Sequence, residues 1–125
     1  MKPRKIYACW IYVSDLQKSK QFYQDIGFEV KLTDRDWIEF NFGETSFAIL
    51  QRPAHKGDVV ASKTRIMFEI DDIELIYEEL KNKGVKTIGE IRTEPYGKLL
   101  TFEDPDGHWL ESVSYTHLTL PTNSR

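Results

Sequence analysis

With 125 residues, 40% of them hydrophobic and 13% aromatic, this chain is long enough and apolar enough to bury one core. Its formal net charge of −3 gives no electrostatic reason to bind nucleic acid and mildly favours neutral or cationic small ligands. No run of residues is long and apolar enough to span a bilayer, and the single Cys9 excludes an internal disulfide and fits a reducing compartment. We therefore expect one cytoplasmic globular domain with neither a membrane nor a nucleic acid as partner.

The first half of the chain is predicted to be a strand, a helix and three further strands. Residues 5–14 form an uninterrupted apolar run that is typical of a buried strand. Asp15 then caps a helix whose apolar residues recur at helical spacing until Gly27 ends it. Shorter strands joined by hairpins follow at residues 28–33, 37–42 and 46–51.

The second half repeats this order at an offset of 57 residues (13 to 70, 27 to 84). It comprises a strand at 64–70, a capped helix at 73–83 and strands at 85–91, 98–103 and 108–113, with a loop at 92–97 and a turn at 104–107. We therefore predict a single domain over residues 1–112, made of module one (4–52), a linker (53–62) and module two (63–112).

The end of the chain differs in kind from the rest. Its residues from Ser114 to Thr122 resemble a translated sequencing adapter of the sort found at the ends of draft contigs. We predict that residues 113–125 are such a tail, that the gene model comes from a draft or metagenomic assembly, and that the native sequence after about Ser112 is unknown.

Two segments of the chain resemble the vicinal oxygen chelate superfamily. Residues 11–28 (IYVSDLQKSKQFYQDIGF) are similar to its first helix region, and residues 95–97 (PYG) with 102–111 (FEDPDGHWLE) are similar to its closing motif. The superfamily includes glyoxalase I, bleomycin resistance proteins, fosfomycin-modifying enzymes and extradiol dioxygenases. The resemblance implies an α+β fold of two β-α-β-β-β modules that form a curved mixed sheet around a concave cavity, commonly completed by a homodimer.

The resemblance also implies where a metal would be held. Metal-using members place a His or Gln on the first strand of each module and a Glu or similar donor on the last strand, and the matching positions here are Ala8, Arg65, Phe47 and Glu111. Only Glu111 can ligate a divalent ion, because a methyl group and a phenyl ring have no lone pair and a guanidinium stays protonated. His55 and His108 are expected to be a loop surface residue and a turn residue. We therefore predict no metal site and no cofactor.

Side chains alternate between the two faces of a strand, so the four metal positions indicate which other residues should line the concave cavity. Aromatic walls with a few convergent polar groups suit a flat small molecule, although the same rings could fill the cavity or form a dimer interface without binding anything. Ala8, Asn41, Ile49 and Glu69 share the predicted lining. The predicted ligand-binding residues are Trp10, Tyr12, Trp37, Glu39, Phe47, Arg65, Met67, Tyr96, Trp109 and Glu111.

Arg65 and Glu111 are expected to lie within reach of each other, because their positions share one metal in relatives. Such a pair would either brace the structure or hold a carboxylate or amide of the ligand. No nucleophile–base arrangement emerges, so we predict no catalytic residue, and acid–base catalysis by Glu39, Glu69 or Glu111 is left as an unsupported option.

These observations favour a metal-free binding protein of the bleomycin-resistance type, which sequesters a toxic, cationic, flat-ringed small molecule in the groove of a homodimer. One alternative is an enzyme, either a glyoxalase-like lyase or another metal-dependent member of the superfamily, such as an isomerase that uses Glu111 with a weakly held metal. A second alternative is a ligand-sensing or purely structural dimer.

Overall fold

One helix packed on one four-stranded sheet is the unit of this fold, and the chain forms it twice. The structure is a computed structural model that describes residues 1–4, 6–61 and 64–115, so residues 116–125 of the predicted tail lie outside it. The chain divides into two compact units after Ala61. Within the described ranges, neither helix is long and apolar enough to cross a membrane.

Module one contains the strands and helix in the predicted order. They are β1 (Ala8–Val13), α1 (Leu16–Asp25), β2 (Val30–Asp34), β3 (Trp37–Phe42) and β4 (Thr45–Gln51). The sheet order is β1-β4-β3-β2, in which β1 pairs with β4 in parallel and the other pairs are antiparallel. The helix begins where Asp15 accepts a hydrogen bond from the backbone N–H of Lys18 at 3.1 Å.

Aromatic rings form the core between α1 and its sheet. Tyr23 of the helix is fully buried, and its ring centroid lies 5.1 Å from that of Phe28, 5.6 Å from Phe40 and 5.3 Å from Phe47. Edge-on and tilted contacts at such distances are favourable for aromatic pairs. The side chains of Phe40 and Phe47 therefore mark the side of the sheet that the helix covers.

Module two repeats the arrangement. Its elements are β5 (Ile66–Glu69), α2 (Ile73–Asn82), β6 (Thr87–Glu94), β7 (Gly97–Glu103) and β8 (Trp109–Tyr115), in the sheet order β5-β8-β7-β6 with β5 and β8 parallel. Asp72 caps α2 by accepting from the N–H of Leu75 at 3.2 Å. Lys98 of β7 reaches Glu74 of α2 at 2.7 Å, which identifies the helix side of this sheet. The predicted α+β class and the β-α-β-β-β order of both modules are confirmed.

Two local predictions about module two are wrong. The loop predicted at 92–97 is strand as far as Glu94, and only Pro95 and Tyr96 form the turn. Strand β6 contains Gly89 at φ +76° and a register shift between Ile88 and Arg92, and such a bulge hides the strand period from a sequence reading. The last strand also continues beyond position 113 to Tyr115.

The start of the predicted tail therefore lies within β8. Ser114 pairs with Lys98 across β7, and its hydroxyl donates to the backbone carbonyl of Asp71 at 3.1 Å. A short 3₁₀ helix, Ala54–Lys56, lies within the predicted linker.

Candidate functional site

Each sheet has one face against its helix and an opposite face, which we call the helix-free face. Residues that pair directly across neighbouring strands share a face. In module one, Trp10 and Glu39 both pair with Ala48, opposite in phase to Phe40 and Phe47, so they lie on the helix-free face. In module two, Met67 and Thr101 both pair with Glu111 and lie on the corresponding face.

Three aromatic side chains form a patch on the helix-free face of module one. The ring of Trp10 lies 5.0 Å from Tyr12 and 6.4 Å from Trp37, both in edge-to-face geometry. Trp10 is 46% exposed although it is a large apolar residue. We call Trp10, Tyr12 and Trp37 the aromatic patch, and it contains three of the predicted ligand-binding residues.

Glu39 lies behind this patch and has both carboxylate oxygens engaged. Trp37 donates its indole N–H to Oε1 at 3.1 Å, and Ser46 donates its hydroxyl to Oε2 at 2.5 Å. Lys31 Nζ lies 3.6 Å from Oε2. The hydrogen bond from Ser46, followed by the one from Trp37, lowers the pKa of Glu39 below its ordinary value. Because Glu39 is only 2% exposed, it orients the indole of Trp37 rather than offering a free carboxylate.

Glu111 is the centre of a second cluster, on the helix-free face of module two. Arg65 Nη1 lies 3.0 Å from Oε2, which confirms the predicted contact. The hydroxyl of Thr101 donates to the same oxygen at 3.2 Å, and Arg92 Nη2 lies 3.4 Å from it. Arg92 also donates from Nη1 to the Thr101 hydroxyl at 3.1 Å. We call Arg65, Arg92, Thr101 and Glu111 the arginine cluster.

Trp109 lies beside this cluster. The Cζ atom of Arg65 is 4.8 Å from the centroid of the Trp109 ring, a cation–π distance. The indole N–H donates to Glu103 Oε1 at 3.0 Å, so the ring is contacted on one face by Arg65 and at its N–H edge by Glu103. Met67, another predicted ligand-binding residue, is exposed on the same face.

The prediction that Phe47 belongs to this lining is wrong. Phe47 is 2% exposed, pairs with Cys9 and Phe40, and packs in the aromatic core under α1. The prediction for Ile49, which pairs with Ile38, is wrong for the same reason. By register the counterpart of Glu111 is Ala48, at an offset of 63 residues (48 to 111) rather than 64, and a slip of one residue exchanges the faces of a strand.

The two histidines that the structure describes differ in burial. His55 is exposed, as predicted for a loop surface residue, whereas His108 is buried. Its ligand atoms and those of Asp104 and Asp106 lie within 4.8 Å of one another. Asp104 Oδ1 accepts from the backbone N–H groups of Asp106 and His108, both at 2.9 Å, and these bonds close the turn before β8.

Tyr96 lies half-buried in the turn between β6 and β7. The structure thus groups the remaining predicted residues by module: the aromatic patch with Glu39 in module one, and Arg65, Met67, Trp109 and Glu111 in module two. Sequence reasoning missed Arg92, Thr101, Ser46 and Lys31, which bind the two carboxylates.

The residues at the superfamily's metal positions do not fit a metal ion. Ala8 and Ala48 have no donor atom, and Arg65 places a permanent positive charge next to the one carboxylate present. Oε2 of Glu111 already accepts from three donors. A divalent ion at this carboxylate would lie beside two guanidinium groups, whose positive charges repel it.

Residues 5–112 match the family model described as the Glyoxalase/Bleomycin resistance protein/Dioxygenase superfamily. The uncharacterized protein YetH of Bacillus subtilis (strain 168) is 33% identical over 113 residues, which cover 84% of this chain and 93% of YetH. The metallothiol transferase FosB of Shouchella clausii (strain KSM-K16) is 33% identical over 105 residues, covering 79% of this chain and 72% of the transferase.

Solved structures share the same fold. TnmS3, an antibiotic binding protein from Streptomyces sp. CB03234, superposes with a TM-score of 0.75 at 22% identity, covering 93% of this chain and 99% of TnmS3. An integron cassette protein from the mobile metagenome of Halifax Harbour Sewage Outfall superposes with a TM-score of 0.72 at 26% identity, covering 90% and 99% of the respective chains.

Proposed function

Because the chain belongs to the Glyoxalase/Bleomycin resistance protein/Dioxygenase superfamily, we propose that it binds a flat small molecule non-covalently and without a metal, and that it acts by sequestering this molecule. The superfamily covers enzymes as well as binding proteins, so the fold does not choose between them. The choice depends on the residues of the two helix-free faces.

The hydrogen bonds that Glu111 accepts are the observation on which this proposal depends. Among the four metal positions, Glu111 is the only residue with oxygen donors, and its Oε2 accepts from Arg65, Arg92 and Thr101. A guanidinium cannot release its proton to become a ligand, and its charge repels a cation. Without a metal, the lyase, dioxygenase and metallothiol transferase chemistries of the superfamily lose their electrophile.

The aromatic patch supports the binding of a flat molecule. Trp10 is half-exposed, and the indole of Trp37 is oriented by its bond to Glu39. Rings that are held in place before binding lose little conformational freedom when a ligand stacks on them. Stacking contributes about 1 kcal/mol per ring.

The names of the relatives suggest two different activities. TnmS3 is named as an antibiotic binding protein, which agrees with sequestration of a drug-like molecule. FosB is named as a metallothiol transferase, and its 33% identity makes a metal-dependent transferase the competing function. The arginine cluster argues against that function, because it places positive charge where the metal would bind.

A fluorescence titration with matched metal conditions tests the proposal. We expect at least one member of a panel of flat-ringed drugs to quench the intrinsic fluorescence of the full chain saturably, both before and after dialysis against a chelator. Trp10→Ala should weaken binding about tenfold or less, whereas Leu75→Ala, an exposed apolar residue on α2, should leave it unchanged.

Two results would overturn the proposal. Binding or turnover that disappears on chelation and returns with about one zinc or manganese ion per chain would establish the metal-dependent alternative. Unchanged fluorescence across a panel of flat-ringed drugs would favour the sensing or structural alternative.

The homodimer predicted from the sequence forms part of this proposal. Trp10 on module one, and Met67 and Trp109 on module two, are exposed on the helix-free faces. Exposed apolar residues of this size commonly mark a contact surface. Light scattering should therefore give twice the 14.7 kDa of one chain, and a mass of 14.7 kDa at micromolar concentration would contradict the dimer.

A further inference from the structure

We infer that Arg65 and Arg92 form a subsite for an oxyanion, a carboxylate or phosphonate, carried by the small molecule of the proposed function, on which this inference rests. At this cluster, a cationic ligand of the kind expected from the net charge of the whole chain would face two guanidinium groups.

The arginine cluster carries an unbalanced positive charge. Arg65 and Arg92 share a single carboxylate, Glu111, and both bond to its Oε2. Guanidinium groups stay protonated at any physiological pH, so the excess charge is permanent. In module one, by contrast, Glu39 has one cationic partner, Lys31, and its other partners are neutral.

The excess charge is accessible to a ligand. The side chains of Arg65 and Arg92 are 45% and 42% exposed, whereas that of Glu111 is 9% exposed. Within the described residues, Arg65 donates only from Nη1, and Arg92 donates from Nη1 and Nη2. Their remaining N–H groups are therefore available as donors, and a planar fork of N–H groups matches the geometry of a carboxylate or phosphonate.

Both guanidinium groups are held before any ligand binds. Arg65 lies over the ring of Trp109, and Arg92 is fixed by its bond to the Thr101 hydroxyl. A brace for Glu111 requires only one guanidinium. The second guanidinium adds a positive charge but no second carboxylate. Two fixed donor groups on one exposed face suit the recognition of an oxyanion.

A matched set of naphthalene probes tests the subsite. Calorimetric titration of the full chain at about 50 mM salt compares 2-naphthoate and 2-naphthylmethylphosphonate with the neutral 2-naphthylmethanol and the cationic 2-naphthylmethylammonium. We expect the two anions to bind about tenfold or more tightly than the alcohol, and the ammonium to bind most weakly. The preference for the anions over the alcohol should fall as the salt concentration is raised. Comparison of the two anions distinguishes a carboxylate-selective site from a phosphonate-selective one.

Substitutions in the cluster should change the affinity for anions alone. Arg92→Gln and Arg65→Gln should each reduce naphthoate affinity about tenfold and leave the alcohol unchanged. Lys98→Gln makes the same charge change on the helix side of the same sheet and serves as the control. Glu111→Gln removes the competing carboxylate, so naphthoate affinity should rise, and melting curves verify that each variant folds.

The outcomes separate this inference from the proposed function. Equal binding of naphthoate and the alcohol, or a fall in naphthoate affinity in Glu111→Gln, would overturn the subsite and leave flat-molecule binding intact. Binding of none of the four probes would count against both.

Discussion

The two modules each hold a buried carboxylate on the helix-free face of the same kind of sheet, but they hold it on different strands. In module one Glu39 lies on β3 and accepts from Ser46 on β4. In module two Glu111 lies on β8, the last strand, and accepts from Thr101 on β7. By register Thr101 takes the place of Glu39, so carboxylate and hydroxyl have exchanged neighbouring strands.

The difference lies in what surrounds each carboxylate. Glu39 is partnered by one lysine and one indole, and so it supports an aromatic patch. Glu111 is partnered by two arginines, and so its surroundings are positively charged. The same face of the same fold therefore supports different chemistry in the two halves, and the partners of each carboxylate determine what its surroundings can bind.

The largest expected effect concerns the helix sides, where the modules should behave alike. Phe47→Ala should lower the free energy of unfolding by about 3–5 kcal/mol, because it leaves a cavity in the aromatic core. Leu110→Ala, at the matching register position in module two, should cost about 2–5 kcal/mol. Denaturant titration measures both. A Phe47→Ala variant that keeps its stability and loses ligand affinity would return Phe47 to the binding face.

A smaller effect should distinguish the carboxylate of module one by its pH dependence. Glu39→Gln should destabilise the protein by about 1–2 kcal/mol at pH 7, because it weakens the bonds from Ser46 and Trp37. The pKa of Glu39 is lowered in the folded state, so its contribution is complete above the ordinary glutamate range of about 4.3 and is lost as the pH falls through the lowered value.

The stability difference between wild type and Glu39→Gln should therefore be constant from pH 7 to about 5 and shrink below about pH 4. Urea titrations at each pH measure it. A difference that grew on acidification would mean that the folded state favours the protonated carboxyl of Glu39, contrary to its hydrogen bonds.

The smallest expected effect is one in which the modules should match closely. Asp15 and Asp72 cap their helices at 3.1 and 3.2 Å, with nearly identical backbone angles. Asp15→Ala and Asp72→Ala should each lower the free energy of unfolding by about 1 kcal/mol. Thermal melts of the two variants should shift by similar amounts, and a much larger shift in one would show that its helix depends on its cap more than the other does.

Much of the fold was predictable because its determinants are local. Both helix caps and both helix-ending glycines depend on only a few neighbouring residues. Strand β3 begins and ends where the alternation predicts. Arg92 could not be placed because the bulge at Gly89 interrupts the period of β6. Phe47 was misplaced because the register of β4 depends on turn lengths elsewhere, and an error of one residue reverses a face. An arginine at the first position of the segment predicted as a loop, residues 92–97, was the available signal for this further partner of Glu111.

The parallel pairing of the first and last strands in each module has a consequence for how the chain is made. Ala8 pairs with Ser46, and Ile66 with Leu110, so each sheet closes only after nearly all of its own module has been synthesised. Contacts of such long sequence separation slow folding, because the intervening chain must be ordered first. Module one contains all of its own strands by Gln51, so its sheet can be completed before module two has been translated. A synonymous codon change that slows translation after position 51 should therefore favour correct folding of the first module.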